Sequence, residues 1–555
     1  MALLFKYRGR LRPTPFYFYN EQRQIFRSKL RMSSPASGSP GSNPSTSFTE
    51  HVRSISRQSS VFLLGTLFTV AIGYLFKIYL ARKLGAEALG IYALGMTAAG
   101  LVSIVGAAGV PQTASRFVAI YSSTGQTRKL TRFLWFGAIA LLITNVLVGC
   151  VMVAAREWIA LRVYHTPVLA RYMHFFAAIM VFGALTTFMG QALAGYKDVA
   201  RRTVITNFIG TPMTMLFSVA LLSLGFGLWG YLAAQVVSAV LVLLLLARAV
   251  FKLTPKAAPE SLPAPDAARP PFIEKEVVSF AVILLGMQAL EFVSGQSDRI
   301  MLGIYLSARE VGIYSVAASM VTFVALFLQS INQIFAPTIA ELHAKGEHDM
   351  LLRLYQTLTK WSLGLTIPLA LGIMIFAKPL MGIFGRDFRE GWPVLAIATV
   401  GQLVSCGVGS VGNLLIMSDQ QNRFIRAQAI SVVVTVGLNF ALIPRWGMTG
   451  AAIAVGASNA CMNLLWLRAV KRRMLLFPST KGYVSLLLPT VATLVMLVGL
   501  RALLQFRIPD LVLIPFALIG AYGAFALVAM FFGLDQQDKV LAVDAYTRLR
   551  ARFIE

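Results

Sequence analysis

The sequence predicts an all-α membrane protein with about fourteen transmembrane helices, arranged as two pseudo-symmetric six-helix lobes plus two carboxy-terminal helices. Of its 555 residues, 57% are hydrophobic and only 13% are charged. Soluble proteins carry about 25% charged residues, and disordered chains are poor in the large apolar residues that abound here. Recurrent apolar runs of about 20 residues and an internal repeat point to the same fold.

The predicted helices follow from the apolar runs. A helix rises about 1.5 Å per residue, so about 20 residues cross a hydrocarbon core of about 30 Å. Internal prolines such as Pro212 and Pro368 are compatible with such helices, because neighbouring helices satisfy the freed carbonyls. The runs are 60–81, 90–110, 133–155, 172–195, 203–225, 230–246, 277–304, 311–336, 358–376, 394–417, 424–443, 450–467, 483–504 and 511–532.

The basic residues are distributed unevenly between the two sides of the predicted membrane. Lys and Arg number 50 against 23 Asp and Glu, which gives a net charge of +27. If the amino terminus is cytoplasmic, 35 of these cations fall in inside segments and 12 in outside loops. Cationic loops resist translocation, so we expect both termini in the cytoplasm. The charge therefore indicates membrane topology and not a nucleic-acid partner.

Composition divides the chain into six parts. The segment before the first apolar run is basic and rich in Ser and Pro, as in SSPASGSPGSNPSTS from Ser33, and too polar to fold. It weakly resembles an organelle transit peptide, and Met32 is an alternative translation start. The parts are a disordered tail (1–59), the first lobe (60–252), a Pro-rich cytoplasmic linker (253–276), the second lobe (277–470), two extra helices (471–533) and a cytoplasmic tail (534–555).

An internal repeat relates the two predicted lobes. KIYLARKLGAEALGIY, from Lys77, aligns with RIMLGIYLSAREVGIY, from Arg299, at an offset of 222, with seven of sixteen positions identical. The same offset pairs Gln191 with Asn413. Because each lobe has an even number of helices, both enter the membrane in the same sense. Parallel repeats of this kind are typical of transporters, which bind substrate between the lobes and alternate access by rocking.

Charged residues within the predicted helices are candidate site residues, because an ionised group at the bilayer centre costs about 2.5–3.5 kcal/mol. Lys77 and Arg299 occupy equivalent positions, and we expect them to face each other across the lobe interface and bind an anionic headgroup, with phosphate the obvious candidate. Glu291 and Asp298 are seven residues apart, hence on one helix face, and either is a candidate for binding a coupling proton or sodium ion. The alternative is that the two cations snorkel to the interface.

Three further residues are weaker candidates. Arg116, after Pro111, would meet a headgroup on entry, or would anchor the helix on the cytoplasmic side. Gln191 and Asn413 would line a polar cavity suited to sugar hydroxyls, or would hydrogen-bond between helices. We find no catalytic, metal-binding or nucleotide-binding motif. The sequence therefore predicts neither an enzyme nor a cofactor, apart from a possible coupling ion.

Two stretches resemble bacterial polysaccharide flippases of the multidrug/oligosaccharidyl-lipid/polysaccharide superfamily. The first is SDRIMLGIYLSAREVGIYSVA from Ser297, and the second runs from FAKPLMGIFGRDFREGWPVLAI at Phe376 through LNFALIPRWGMTGAAIAV to Val455. The resemblance covers about residues 60–535. It implies two six-helix lobes that form a V, usually with two added helices.

The resemblance also implies a function. Such proteins move polyprenyl-pyrophosphate-linked oligosaccharides from the inner to the outer leaflet of the bacterial inner membrane, for O-antigen, capsule or exopolysaccharide assembly. Cationic cavity residues are thought to bind the pyrophosphate, and that role would fall to Lys77, Arg299 and Arg116. The implied partners are the glycan lipid, membrane lipid, and the glycosyltransferases and polymerase of the same pathway.

Other functions stay open at this point. A multidrug or toxin extrusion antiporter shares the fold, but it would typically use carboxylates to bind cationic drugs, and acids are scarce in these helices. A membrane glycan polymerase or ligase would be expected to expose a large outer loop with catalytic Arg and His, whereas the outer loops predicted here are short. A structural scaffold would gain nothing from buried charges.

Overall fold

The computed structural model describes residues 44–255, 275–474, 480–504 and 509–532. The chain divides into two units, residues 1–58 and 59–555. Most of the predicted amino-terminal tail, most of the predicted linker and the predicted carboxy-terminal tail lie outside the described residues, so those domain boundaries stay predictions. The first helix begins at Pro44, and the prediction of a tail without structure is wrong from there onward. Proline suits a first helical turn, because its missing N–H would be unpaired anyway.

In the described residues of the amino-terminal lobe, the regular secondary structure is all helical, and short turns join the helices. Two short π-helical stretches, Trp158–Val163 and Val204–Gly210, interrupt its longer helices. Its α-helices are α1 (Pro44–Ala107), α2 (Val110–Ser123), α3 (Thr127–Ala154), α4 (Val168–Gly195), α5 (Val199–Thr203), α6 (Thr211–Ser223) and α7 (Gly227–Leu253).

The described residues of the carboxy-terminal lobe and of the two extra helices likewise contain helices joined by short turns. A 3₁₀ turn at Asp387–Gly391 precedes α13. The helices are α8 (Lys275–Tyr305), α9 (Ala308–Met320), α10 (Thr322–Lys345), α11 (His348–Ile375), α12 (Ala377–Gly382), α13 (Trp392–Val408), α14 (Val411–Met417), α15 (Gln421–Met474), α16 (Thr480–Leu504) and α17 (Asp510–Phe532).

The number of membrane helices agrees with the sequence. Within the described residues, twelve helices are long and apolar enough to cross a membrane. Two of them, α1 and α15, contain a glycine with non-helical backbone, Gly85 (φ 80°) and Gly447 (φ 55°). Positive φ is a conformation that glycine adopts without a steric penalty, so each of these helices turns there. Counting their halves separately gives fourteen segments, and the predicted fold class is confirmed.

The two lobes contact each other through repeat-equivalent residues. Gly90 of α1 lies so close to α9 that a Cβ there would overlap the carbonyl oxygen of Ala308. In the same way, a Cβ on Gly312 would overlap the carbonyl oxygen of Ala86. Gly90 aligns with Gly312, and Ala86 with Ala308, at the offset of 222. The contact is therefore reciprocal, and a pseudo-two-fold axis passes through it.

A large buried core surrounds this contact and includes residues of both lobes. Leu94 of α1, Phe176 of α4 and Ile313 of α9 are fully buried within it. The extra helices pack elsewhere, against α11, where Leu497 and Leu513 form a smaller core with Phe376. The interface between the lobes is consequently formed by the two six-helix lobes themselves, and α16 and α17 flank the second lobe.

Candidate functional site

A cavity of about 510 Å³ lies between the two lobes, and we call it the central cavity. The first lobe contributes residues of α1 and α7, and the second lobe contributes residues of α8 and α9. The cavity is lined by Gly73, Phe76, Lys77, Leu80, Leu89, Tyr92, Ala93, Met96, Thr97, Gly100, Tyr231, Phe292, Gln296, Arg299, Gly312, Ser315, Val316 and Ser319.

Lys77 and Arg299 both line the central cavity, where the repeat predicts them. Arg299 donates a hydrogen bond from Nη1 to Oε1 of Gln296, one turn earlier on α8. Its Nε is shielded from solvent and has no hydrogen-bond partner in the described part of the chain. None of the described lining residues is acidic. Two positive charges without a neutralising carboxylate among them suit a cavity that receives an anion.

Tyr92 and Tyr231 line the central cavity together with the two cations. Gln235 Nε2 of α7 donates to the hydroxyl of Tyr92 over 3.1 Å, and the Tyr92 ring packs edge-on against Tyr231 at 5.1 Å between centroids. Nearby, the Tyr74 hydroxyl lies 2.6 Å from Thr322 Oγ1 of the other lobe. These tyrosines hold the cavity wall through both packing and hydrogen bonds.

A second cavity of about 480 Å³ adjoins the first, and it contains Glu291. Met96, Gly100 and Phe292 line both cavities. The second cavity is also lined by Ala99, Ser103, Ile104, Ala107, Pro111, Gln112, Ile179, Met180, Gly183, Ala184, Thr187 and Gln288. The structure thus places Glu291 in a cavity separate from the one that Lys77 and Arg299 line.

Asp298 does not share a compartment with Glu291, despite the seven-residue spacing. The carboxylate is buried in the second lobe, accepts a hydrogen bond of 2.6 Å from the Tyr314 hydroxyl, and lines a third cavity of about 100 Å³. The face of α8 that lines the central cavity follows Phe292, Gln296 and Arg299. Asp298 is about 100° from Arg299 around the helix, which turns it towards its own lobe.

Arg116 lies outside the central cavity that Lys77 and Arg299 line. It is exposed on α2, and its guanidinium carbon lies 4.6 Å from the ring centroid of Phe280 on α8. Among the described residues of the cavities above, Arg116, Gln191 and Asn413 are absent. The structure therefore places Arg116 in a cation–π contact between the lobes, and it gives Gln191 and Asn413 no place in these cavities.

Several lining residues were not singled out from the sequence. Gln296 precedes Arg299 by three residues, and Gln288 precedes Glu291 by three. Residues three apart share a helix face. A glutamine three residues before a charged candidate could therefore have been identified from the sequence as a second residue lining the same cavity. Gln112 and Tyr231 lie on other helices, and no spacing relates them to the charges.

Comparison with known proteins assigns the chain to a family. Residues 55–343 match the family described as polysaccharide biosynthesis protein, and residues 284–442 match the MatE family. The first match covers more than half of the chain. The chain belongs to the polysaccharide biosynthesis protein family. This confirms the resemblance, and with its many apolar helices the family member is a multi-pass membrane protein.

Individual relatives and solved structures are consistent with this family. A protein of Haloferax volcanii described as "Probable low-salt glycan biosynthesis flippase Agl15" is 30% identical over 169 residues, 30% of this family member and 36% of the relative. The match thus spans about a third of that relative's length. The lipid II flippase MurJ in an inward closed conformation has a TM-score of 0.67 at 15% identity, covering 85% of this chain and 98% of that one.

A multidrug resistance transporter of the MATE family in an inward-facing conformation has a TM-score of 0.62 at 14% identity, covering 75% of this chain and 97% of that one. At these identities the structural likenesses show the shared fold alone. The polysaccharide biosynthesis protein described here thus has a fold that is also found in multidrug transporters, and its substrate has to be argued from its own cavity.

Proposed function

We propose that the protein is a flippase that moves polyprenyl-pyrophosphate-linked oligosaccharides from the inner to the outer leaflet of the plasma membrane during polysaccharide biosynthesis. The observation that carries the proposal is the pair Lys77 and Arg299 in one cavity between the lobes. A pyrophosphate bears several charged oxygens, which a guanidinium and an ammonium bind by charge-assisted hydrogen bonds. The family membership and the relative described as a glycan biosynthesis flippase support this substrate class.

The transport cycle requires no covalent chemistry. In this proposal both termini lie in the cytoplasm, on the evidence of the basic inside segments. The cavity opens alternately to each leaflet as one lobe rocks against the other, and the glycosyltransferases and polymerase of the same pathway supply and consume the glycan lipid. The protein would act as a transporter in the bacterial inner membrane.

A flipping assay with purified protein reconstituted in liposomes tests this function. We expect liposomes that contain it to flip a fluorescent polyprenyl-pyrophosphate oligosaccharide, measured as reagent-accessible label in the opposite leaflet, and to leave a cationic dye behind. A multidrug antiporter, which shares the fold, would give the reverse result. Transport of the dye without flipping of the glycan lipid would refute the proposal.

Asp298 is the candidate in this mechanism for coupling to a cation. Its small cavity also contains the polar side chains of Gln402 and Asn459, and a buried carboxylate is stabilised by a proton or a bound monovalent cation. We expect Asp298→Asn to reduce flipping driven by a proton or sodium gradient by about 10-fold or more. The uncoupled exchange measured without a gradient should change less. A loss of equal size in both assays would contradict a coupling role, and separate proton and sodium gradients would identify the ion.

A further inference from the structure

We propose that the second cavity binds the hydroxyl groups of an uncharged sugar next to the pyrophosphate. We call this cavity the sugar compartment, and its polar lining residues are Ser103, Gln112, Thr187, Gln288 and Glu291. This inference rests on the proposed function and deepens it, because it assigns the saccharide part of the substrate to named residues.

The position of the sugar compartment supports this assignment. It shares Met96, Gly100 and Phe292 with the central cavity, so the two volumes adjoin. Each has the size of an ordinary ligand pocket, about 300–1,000 Å³. A headgroup whose pyrophosphate contacts Lys77 and Arg299 therefore extends its first sugar past Phe292 into the sugar compartment.

Gly100 and Phe292 line both cavities. Gly100 faces Phe292 so closely that a Cβ on this glycine would lie 2.7 Å from Cε2 of the ring. Glycine at position 100 therefore leaves the space that a larger side chain would fill. The flat apolar Phe292 ring is the surface past which the sugar has to move.

The hydrogen-bonding groups of the compartment are partly unused. Gln112 Oε1 and Gln288 Nε2 are shielded from solvent and have no hydrogen-bond partner in the described residues. Buried polar atoms are normally paired. Together with the Glu291 carboxylate, they offer two kinds of acceptor and one donor, and a sugar hydroxyl can both donate and accept. When the two amides turn toward the cavity, the ligand that pairs these groups best is a neutral, hydroxyl-rich ring.

Charge determines the orientation and selects the sugar. Glu291 is the one charged residue among the described residues that line this compartment. It repels a pyrophosphate, which keeps that group beside Lys77 and Arg299, and it also repels a sugar that carries a carboxylate. We therefore expect a neutral first sugar to be preferred over a uronic acid.

Binding measurements with three lipids test the inference. The probes are polyprenyl pyrophosphate alone, the same lipid linked to a neutral N-acetylhexosamine, and the same lipid linked to a hexuronic acid, each added to purified full-length protein in nanodiscs. We expect the wild-type protein to bind the neutral-sugar lipid at least about 10-fold more tightly than the hexuronic acid lipid. Glu291→Gln should remove this discrimination and weaken binding of the neutral-sugar lipid by about 10-fold, as expected for a lost hydrogen bond to a charged group.

Matched variants separate a direct effect from a structural one. Glu276→Gln makes the same chemical change at an exposed position in the first turn of α8 and should leave all three affinities unchanged. Gln288→Ala should weaken only the neutral-sugar lipid. Equal losses for all three lipids in Glu291→Gln, or no loss for any, would overturn the sugar compartment. If polyprenyl pyrophosphate alone fails to bind the wild-type protein, the proposed function fails first, and the inference fails with it.

Discussion

Replacing Lys77 and Arg299 together with glutamine is expected to slow flipping of a polyprenyl-pyrophosphate glycan by at least about 100-fold. A hydrogen bond to a charged group contributes about 1.5–3 kcal/mol, and two such bonds correspond to a factor of about 100 or more. Both side chains line the same cavity, so they act on one headgroup. Glutamine keeps a polar side chain at each position and removes the charge, together with some length and some hydrogen-bond donors. The rate of flipping in liposomes measures the effect.

The single variants and a control sharpen this prediction. Lys77→Gln and Arg299→Gln should each lose about 10-fold, and Arg299→Lys should recover part of the loss because a lysine keeps the charge without the planar fork. Lys83→Gln with Arg445→Gln removes two exposed cations and should flip at the wild-type rate. Wild-type flipping by the Lys77/Arg299 double variant, at normal abundance in the membrane, would show that the headgroup binds elsewhere.

Gly90→Ala is expected to hold the lobes apart at their reciprocal contact and to lower flipping by about 10-fold or more. The added methyl group overlaps the backbone of Ala308, and backbone cannot move aside as a flexible side chain can. Overpacking of this kind costs about 1–3 kcal/mol, which shifts the equilibrium between closed and open states by about 5- to 150-fold. Gly312→Ala should act in the same way from the other lobe.

Accessibility of the central cavity distinguishes this effect from unfolding. A cysteine introduced at Ser315, in a protein whose native cysteines are replaced by serine, should react faster with a membrane-impermeant thiol reagent in the Gly90→Ala background. In the proposed membrane orientation, the end of the lobes that carries the contact between Gly90 and Gly312 faces outward. Gly437→Ala is the control, because a Cβ there meets no described atom within 4 Å. Unchanged labelling in Gly90→Ala would mean that this contact does not close the cavity.

The fold, and the location of Lys77 and Arg299 in one cavity, were accessible from the sequence for identifiable physical reasons. Apolar length determines which segments cross a bilayer, and the repeat brings Lys77 and Arg299 to corresponding places in the two lobes. The orientation of a helix about its own axis is harder to predict from the sequence. The spacing of Glu291 and Asp298 suggests one common face, whereas α8 packs with Asp298 turned to Tyr314 and Glu291 turned to the second cavity.

Other features depend on tertiary contacts that no local pattern records. Arg116 occurs where a topological anchor or a headgroup contact is expected, and its partner is the Phe280 ring of a distant helix. The sugar compartment combines Gln112 with Gln288, although 176 positions separate them. The amide of a transmembrane helix has the same appearance in sequence whether it faces a cavity or a neighbouring helix.

The reciprocal packing of Gly90 and Gly312 also bears on how the chain arose. A patch that packs against its own repeat copy across a two-fold axis is self-complementary, as in the isologous interface of a homodimer. A half-length chain with this patch would be able to pair with itself, and every change in the patch would then appear on both sides of the pair. In a fused chain each half can change independently. Phe76 and Asp298 occupy equivalent positions, yet Phe76 lines the central cavity and Asp298 lines a small cavity within the second lobe, which shows how far the two halves differ.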